Sequence, residues 1–158
     1  MQNNEKRRQA AQARKSFRAL QAKLRSIGGT GVEPVPDDPH IELLLRRGHV
    51  MGGKPCKMVR GKECQCHYNA AARYVADFHK YHIVTGYGLS ADDGLWRSHS
   101  WLWDEKRIVE TTVERDIYFG VVLDNFEAAA FVFMLLDHVL PGMSDYLDSL
   151  YPKKDSCE

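Results

Sequence analysis

No stretch of the 158-residue sequence stays apolar for long: the longest run, Ala128–Leu136, stops at Asp137, far short of the roughly 20 residues that span a bilayer as a helix. The first 25 residues contain no apolar segment of the length a secretory leader requires. The reading expects synthesis in the cytoplasm, no membrane span, and export only by a non-classical route or by delivery into a host or target cell. Cysteine is scarce, with four residues (Cys56, Cys64, Cys66, Cys157). In a chain without a leader these read as thiols rather than as a disulfide framework. Internal repeats and low-complexity tracts are missing as well, which argues against solenoids and fibrous architectures.

Acidic residues are nearly absent from the first 31 positions, where Lys6, Arg7, Arg8, Arg14, Lys15, Arg18, Lys23 and Arg25 face the single anion Glu5, a local balance of +7. The whole chain carries only +1, so the remaining 127 residues sum to −6. A uniformly basic protein adapted to duplex DNA is thereby excluded. The amino-terminal segment alone can touch phosphates, an acidic partner or its own acidic body. That segment has no glycine or proline from Asn4 to Ser26 and consists of strong helix formers, with Gly28-Gly29 as its stop. Ala10, Ala13, Phe17, Leu20 and Leu24 recur at helical spacing and form a thin apolar stripe for docking.

The division that follows is a basic amphipathic helix or tail over 1–27, a linker over 28–39 and a catalytic domain over 40–158. Gly28, Gly29, Gly31, Pro34, Pro36 and Pro39 make the linker unfit for either regular structure. Within the domain, Cys66–Phe78 reads as a helix, with Ala70, Ala71, Tyr74, Val75 and Phe78 on a buried face. Residues 81–89, 97–103, 107–113 and 118–123 read as successive antiparallel strands. Asn125–Leu140 is apolar on nearly every side, as a core helix would be, and Pro141-Gly142 ends it. The fold class expected is α+β, a cysteine-bearing helix on an antiparallel sheet of four or five strands.

Cys66 opens the predicted helix, where unpaired amide groups and the positive end of the dipole favour a thiolate and can hold an oxyanion. His99 and Glu110 lie on neighbouring predicted strands. A two-residue turn at Asp104-Glu105 sets them directly opposite one another, and a four-residue loop from Asp104 to Arg107 makes them diagonal neighbours on one face. A three-residue loop would separate them, because a one-residue slip inverts the faces. Together the three residues have the composition of a nucleophile–base–carboxylate triad. Gln65 and Asn69, flanking the nucleophile, and Trp101, sharing the face of His99, are the candidate substrate contacts. The competing reading is a zinc site built from His49, Cys56, Cys64, Cys66 and His67. The Cys-x2-Cys pairing usual for such sites is lacking, so neither a metal nor another cofactor is expected.

Cys66-x-x-Asn69-Ala70, Gly86-Tyr87, His99-x-Trp101, Glu110-x-Thr112 and Tyr118-Phe119-Gly120 together resemble a group of small, mostly uncharacterised bacterial and phage proteins. These are similar in turn to the papain-like superfamily, whose transglutaminase-like and NlpC/P60-like branches keep the order Cys, His, Asp or Glu. The resemblance spans about residues 62–123, with Glu110 where Asp is commoner. It implies a papain-like fold with Cys66 as nucleophile, His99 as base and Glu110 as orienting acid. Such an enzyme would hydrolyse an amide or peptide bond in a protein or peptide substrate through an acyl-enzyme. Deamidation and transglutamination use the same machinery. The alternative of another class is a non-catalytic papain-like module that docks an acidic protein or nucleic acid through the amino-terminal helix.

Overall fold

The computed structural model describes residues 2–35, 38–52 and 55–136. Its elements in chain order are α1 (Gln2–Ile27), β1 (Gly31–Val32), α2 (Ile41–Arg47), β2 (His49–Gly52), β3 (Lys57–Met58), α3 (Cys66–Ala76), β4 (His82–Leu89), β5 (Leu95–Trp103), β6 (Ile108–Glu110), β7 (Ile117–Val122) and α4 (Asn125–Leu136). The α+β class holds, with four helices. The sheet has seven strands rather than four or five and is mixed rather than purely antiparallel, in the order β2-β7-β4-β5-β6-β3 with β1 paired to β5.

Two of the short strands run parallel to their partners, β1 to β5 and β3 to β6. Sequence periodicity cannot reveal a two-residue strand, and β1 falls inside the Gly/Pro segment read as a linker. Its residues Gly31 and Val32 are buried. The β4–β5–β6 meander is antiparallel as expected. However, β7 crosses back to pair with the far edge of β4, and β2 then pairs with β7.

Register pairs Leu102 with Val109 and Trp103 with Ile108. The connection is therefore the four-residue loop Asp104–Arg107. It is closed by the Asp104 amide donating to the Arg107 carbonyl (3.3 Å), while the Asp104 carboxylate caps the amides of Lys106 and Arg107. His99 and Glu110 are thus diagonal neighbours on one face. The strand expected to run to Val113 stops at Glu110 because the amides of Thr111 and Thr112 donate to the Glu110 carboxylate instead of to a neighbouring strand.

Both faces of the sheet are covered. One carries Ile83, Tyr87, Leu102, Val109 and Phe119 against the helices, and the other encloses Val84, Trp101, Ile108, Tyr118 and Met51. The second half of α1 belongs to the first of these cores: Leu20 and Leu24 are fully buried. Burial of a leucine side chain stabilises by about 1.5–3 kcal/mol. The Trp96 indole donates to the Gly28 carbonyl at the helix end (2.8 Å), fixing the exit of α1. Residues 4–15, by contrast, are all exposed, including Ala10 and Ala13 of the predicted stripe.

In α3 the buried positions are Asn69, Ala70, Ala71 and Ala72. Val75 and Phe78, expected on the buried face, are exposed. The small alanines let the helix lie close to β5, and the helix ends at Asp77, whose amide closes onto Arg73 and Tyr74. Helix α4 buries Ala128, Phe131 and Val132 but leaves Phe126 and Phe133 exposed, so it is a surface helix rather than an enclosed one. The expected extension through Leu140 and the stop at Pro141-Gly142 lie outside the described residues.

Candidate active site

The topology leaves a gap where the chemistry is concentrated. Strand β4 pairs with β5 from Trp96 to Trp103 along one edge. On the other edge β1 takes Leu95 and Trp96 and β6 takes Leu102 and Trp103. Residues 97–101 have no strand partner on that edge, and the start of α3 lies against β5 there. Cys66 is the first residue of α3. The preceding residue, Gln65, puts no side-chain cap on the helix. Gln65 therefore gives the amide groups of the first turn no side-chain acceptor, and Cys66 stands at the positive end of the dipole.

Cys66, His99 and Glu110 come together. The His99 Nε2 and the Glu110 Oε2 are 2.8 Å apart and both side chains are almost completely buried. That contact leaves Nδ1 of the ring for Cys66. Burial alone would raise the pKa of Cys66, but hydrogen bonds to His67 and His99 and the charges on those rings lower it to about 5. Burial would likewise lower the pKa of His99; hydrogen bonds to Cys66 and Glu110, together with their negative charges, raise it to about 9. These opposed shifts favour a thiolate–imidazolium pair. Glu110 stays ionised although burial opposes it, because His99 and two backbone amides stabilise the charge.

Every lone pair of that carboxylate is put to use. Oε2 accepts from His99 and from the Tyr118 hydroxyl (3.0 Å), and Oε1 accepts from the Thr111 amide (2.8 Å), the Thr112 amide (2.9 Å) and the Thr112 hydroxyl (3.2 Å). Trp101 stacks on the His99 ring with centroids 5.9 Å apart, and Tyr118 closes the cluster 4.8 Å from Trp101. Gly120 makes the space: a β-carbon there would stand 2.5 Å from the indole ring of Trp101. The imidazole is thus fixed by a carboxylate at one end and by aromatic faces at its side.

Of the candidate substrate contacts, Gln65 is exposed beside the nucleophile. Trp101 is fully buried and acts on His99 rather than lining an opening. Asn69 is also fully buried. Its side chain accepts from the Lys62 amide (3.1 Å) and donates to the Lys62 carbonyl (2.7 Å), pinning the loop that leads to Cys66. Gly61 permits the contact, since a β-carbon there would lie 2.4 Å from the Asn69 carboxamide. The cysteines described are free thiols. Of the residues weighed for zinc, Cys66 and His67 are in contact, while Cys56 lies against Met58 and His49 against the Arg47 carbonyl. Among the described residues no three histidine, cysteine or acidic side chains are grouped to hold a metal ion.

Sequence reasoning missed the second histidine at the sulfur. His67 Nδ1 lies 2.7 Å from the Ser100 hydroxyl, which donates in turn to the Thr85 hydroxyl at 3.1 Å. Alternation along β5 carries a signal, because Ser100 faces the helix layer whereas His99 faces away from it. Spacing shows Tyr118 as the start of a strand, whereas its contact with Glu110 depends on the crossover of β7.

The pair opens onto a groove of about 510 Å³, whose lining includes Pro34, Val35, Thr112 and Val113 together with Arg97 and Arg115. A smaller cavity of about 230 Å³ shares Val35 and Ser98 with the groove and is also lined by His67, His40, Phe131 and Met134. No helix among the described residues is long and apolar enough to cross a membrane. No protein-family model, no curated protein and no solved structure matches the chain.

Proposed function

We propose that the protein is a thiol-dependent acyl-transfer enzyme that hydrolyses an amide or peptide bond through a Cys66–His99–Glu110 triad. The observation that carries the reading is the convergence of a cysteine at an uncapped helix start with a buried histidine–carboxylate pair beside an open groove. In this scheme the Cys66 thiolate attacks the substrate carbonyl carbon, and the amide groups at the start of α3 hold the developing oxyanion. The His99 imidazolium gives its proton to the leaving amine as the C–N bond breaks, leaving a thioester on Cys66 and a neutral ring. Water then attacks the thioester while His99 takes its proton. The carbon–sulfur bond breaks, and the thiolate–imidazolium pair returns. Glu110 keeps the tautomer and steadies the ring charge throughout. Replacing water by an amine gives transfer, and a side-chain carboxamide as substrate gives deamidation.

The papain-like resemblance agrees in its order of residues and in the helix that bears the cysteine. The test is acylation by an activated ester such as p-nitrophenyl acetate. The expected result is a burst of p-nitrophenolate equal to the enzyme present and an acetyl group located by mass spectrometry on Cys66. Absence of the adduct from Cys66, or an undiminished burst in Cys66→Ala, would remove the reading.

A second reading, a docking module for an acidic protein or nucleic acid, is favoured by the exposure of residues 4–15 with Lys6, Arg7, Arg8, Arg14 and Lys15 among them. Replacing those five cations by glutamine should abolish binding to such a partner and leave ester turnover in place. Retained binding would dismiss the module.

A further inference from the structure

The groove beside Cys66 holds two arginines in different states. Arg97 is neutralised twice, by a two-pronged contact with Asp93 (2.9 and 2.7 Å) and by Glu33 at 3.0 Å. Arg115 has no carboxylate partner among the described residues, and its Nε is buried without a hydrogen-bond acceptor. Two neighbouring carboxylates are engaged elsewhere: Glu33 holds Arg97, and Glu114 acts on the Cys56 thiol. Arg115 is nevertheless held firmly. Its backbone amide donates to the Tyr118 hydroxyl (2.9 Å), the same hydroxyl that bonds Glu110. Its stem lies over Gly88, where an added β-carbon would meet Cγ at 2.7 Å.

A guanidinium on a stem packed against Gly88, without a protein anion and in the lining of a nucleophile's groove, is preorganised for an anion that arrives from outside. We propose that Arg115 binds a carboxylate of the substrate next to the bond that Cys66 attacks, so that the enzyme acts on an acidic peptide rather than on a neutral one. The inference rests on the reading of Cys66 as the acyl-accepting nucleophile. A planar carboxylate fits the fork of an arginine by two parallel hydrogen bonds. The carboxylate comes either from an aspartate or glutamate side chain or from the free end of a peptide.

The test compares alkylation of Cys66 by iodoacetate, which carries a carboxylate, with alkylation by neutral iodoacetamide, at about pH 6 and low ionic strength. The ratio of the two rates is read in each variant, so the neutral reagent serves as its own reference. The expected result is a ratio about tenfold higher in the wild type than in Arg115→Gln. Arg115→Lys, which keeps charge and stem but loses the fork, should fall between them, and it carries the test alone if the glutamine variant does not fold. An unchanged ratio in both variants would overturn the assignment while leaving the nucleophile in place. Slow reaction of the wild type with iodoacetamide itself would instead count against the nucleophile. Protection of Cys66 from iodoacetamide by peptides identifies the source. Protection that needs Glu rather than Gln points to a side chain, and protection that needs a free rather than amidated terminus points to the chain end. Equal protection by all four peptides would overturn the carboxylate assignment.

Discussion

Cys56 and Cys66 stand on either side of one loop and experience opposite electrostatics. Partial burial and the Glu114 carboxylate raise the pKa of Cys56 to about 11, whereas His67 and His99 bring that of Cys66 to about 5 against the same effect of burial. Residue type is identical and desolvation acts in one direction on both, so the sign of the neighbouring charges decides which sulfur is the more acidic. The halves of α1 make a parallel contrast: Leu20 and Leu24 are core, and residues 4–15 project into solvent with most of the helix's cations.

The largest effect expected is between the two sulfurs. At about pH 6 the thiolate fractions implied by pKa values of about 5 and about 11 differ by roughly 10⁵. The lower intrinsic nucleophilicity of an acidic thiol returns some 10²- to 10³-fold of that. Alkylation followed by peptide mapping should therefore find Cys66 modified on the order of 10² times faster than Cys56, and comparable rates would break the contrast. Next, His99→Ala removes the imidazolium and should slow alkylation of Cys66 at about pH 6 by several-fold and at most about tenfold, as the thiol moves toward its ordinary pKa near 8.5 while gaining intrinsic nucleophilicity. A rate unchanged by that substitution would assign the low pKa to His67 and the helix alone.

Glu110→Gln leaves the buried imidazolium with the Cys66 thiolate as its remaining counter-charge. A loss of about 3 kcal/mol in denaturant-derived stability is expected, because breaking one side of a buried pair leaves the other only partly compensated. For α1, Leu24→Ala should destabilise by about 2–5 kcal/mol, while Ala10→Ser should stay within about 0.5 kcal/mol. Equal effects would mean that the helix is either wholly docked or wholly detached.

Much of this site was legible from side-chain spacing. The position of Cys66 at a helix start follows from local propensity, and the loop Asp104–Arg107 was one of two lengths that bring His99 to Glu110. What escaped was set by distant segments. The strand at Gly31–Val32 forms in a glycine- and proline-rich stretch because β5 offers it an edge, and β7 reaches Tyr118 to Glu110 only by crossing back to β4. Asn69 was expected at the substrate, yet a buried carboxamide needs partners, and Lys62 supplies them. Val75 and Phe78 continue the apolar spacing of α3 past the point where the sheet covers it.

The central claim is a thiolate–imidazolium pair, and the pH profile of Cys66 alkylation by iodoacetamide tests it most directly, in a protein whose other cysteines are serine. Cys66 loses its proton as pH rises through about 5, and His99 loses its own only near 9. The rate should climb with a midpoint near pH 5, hold level across neutrality and change again near pH 9. A single rise with a midpoint near 8.5, the behaviour of an ordinary thiol, would contradict the account.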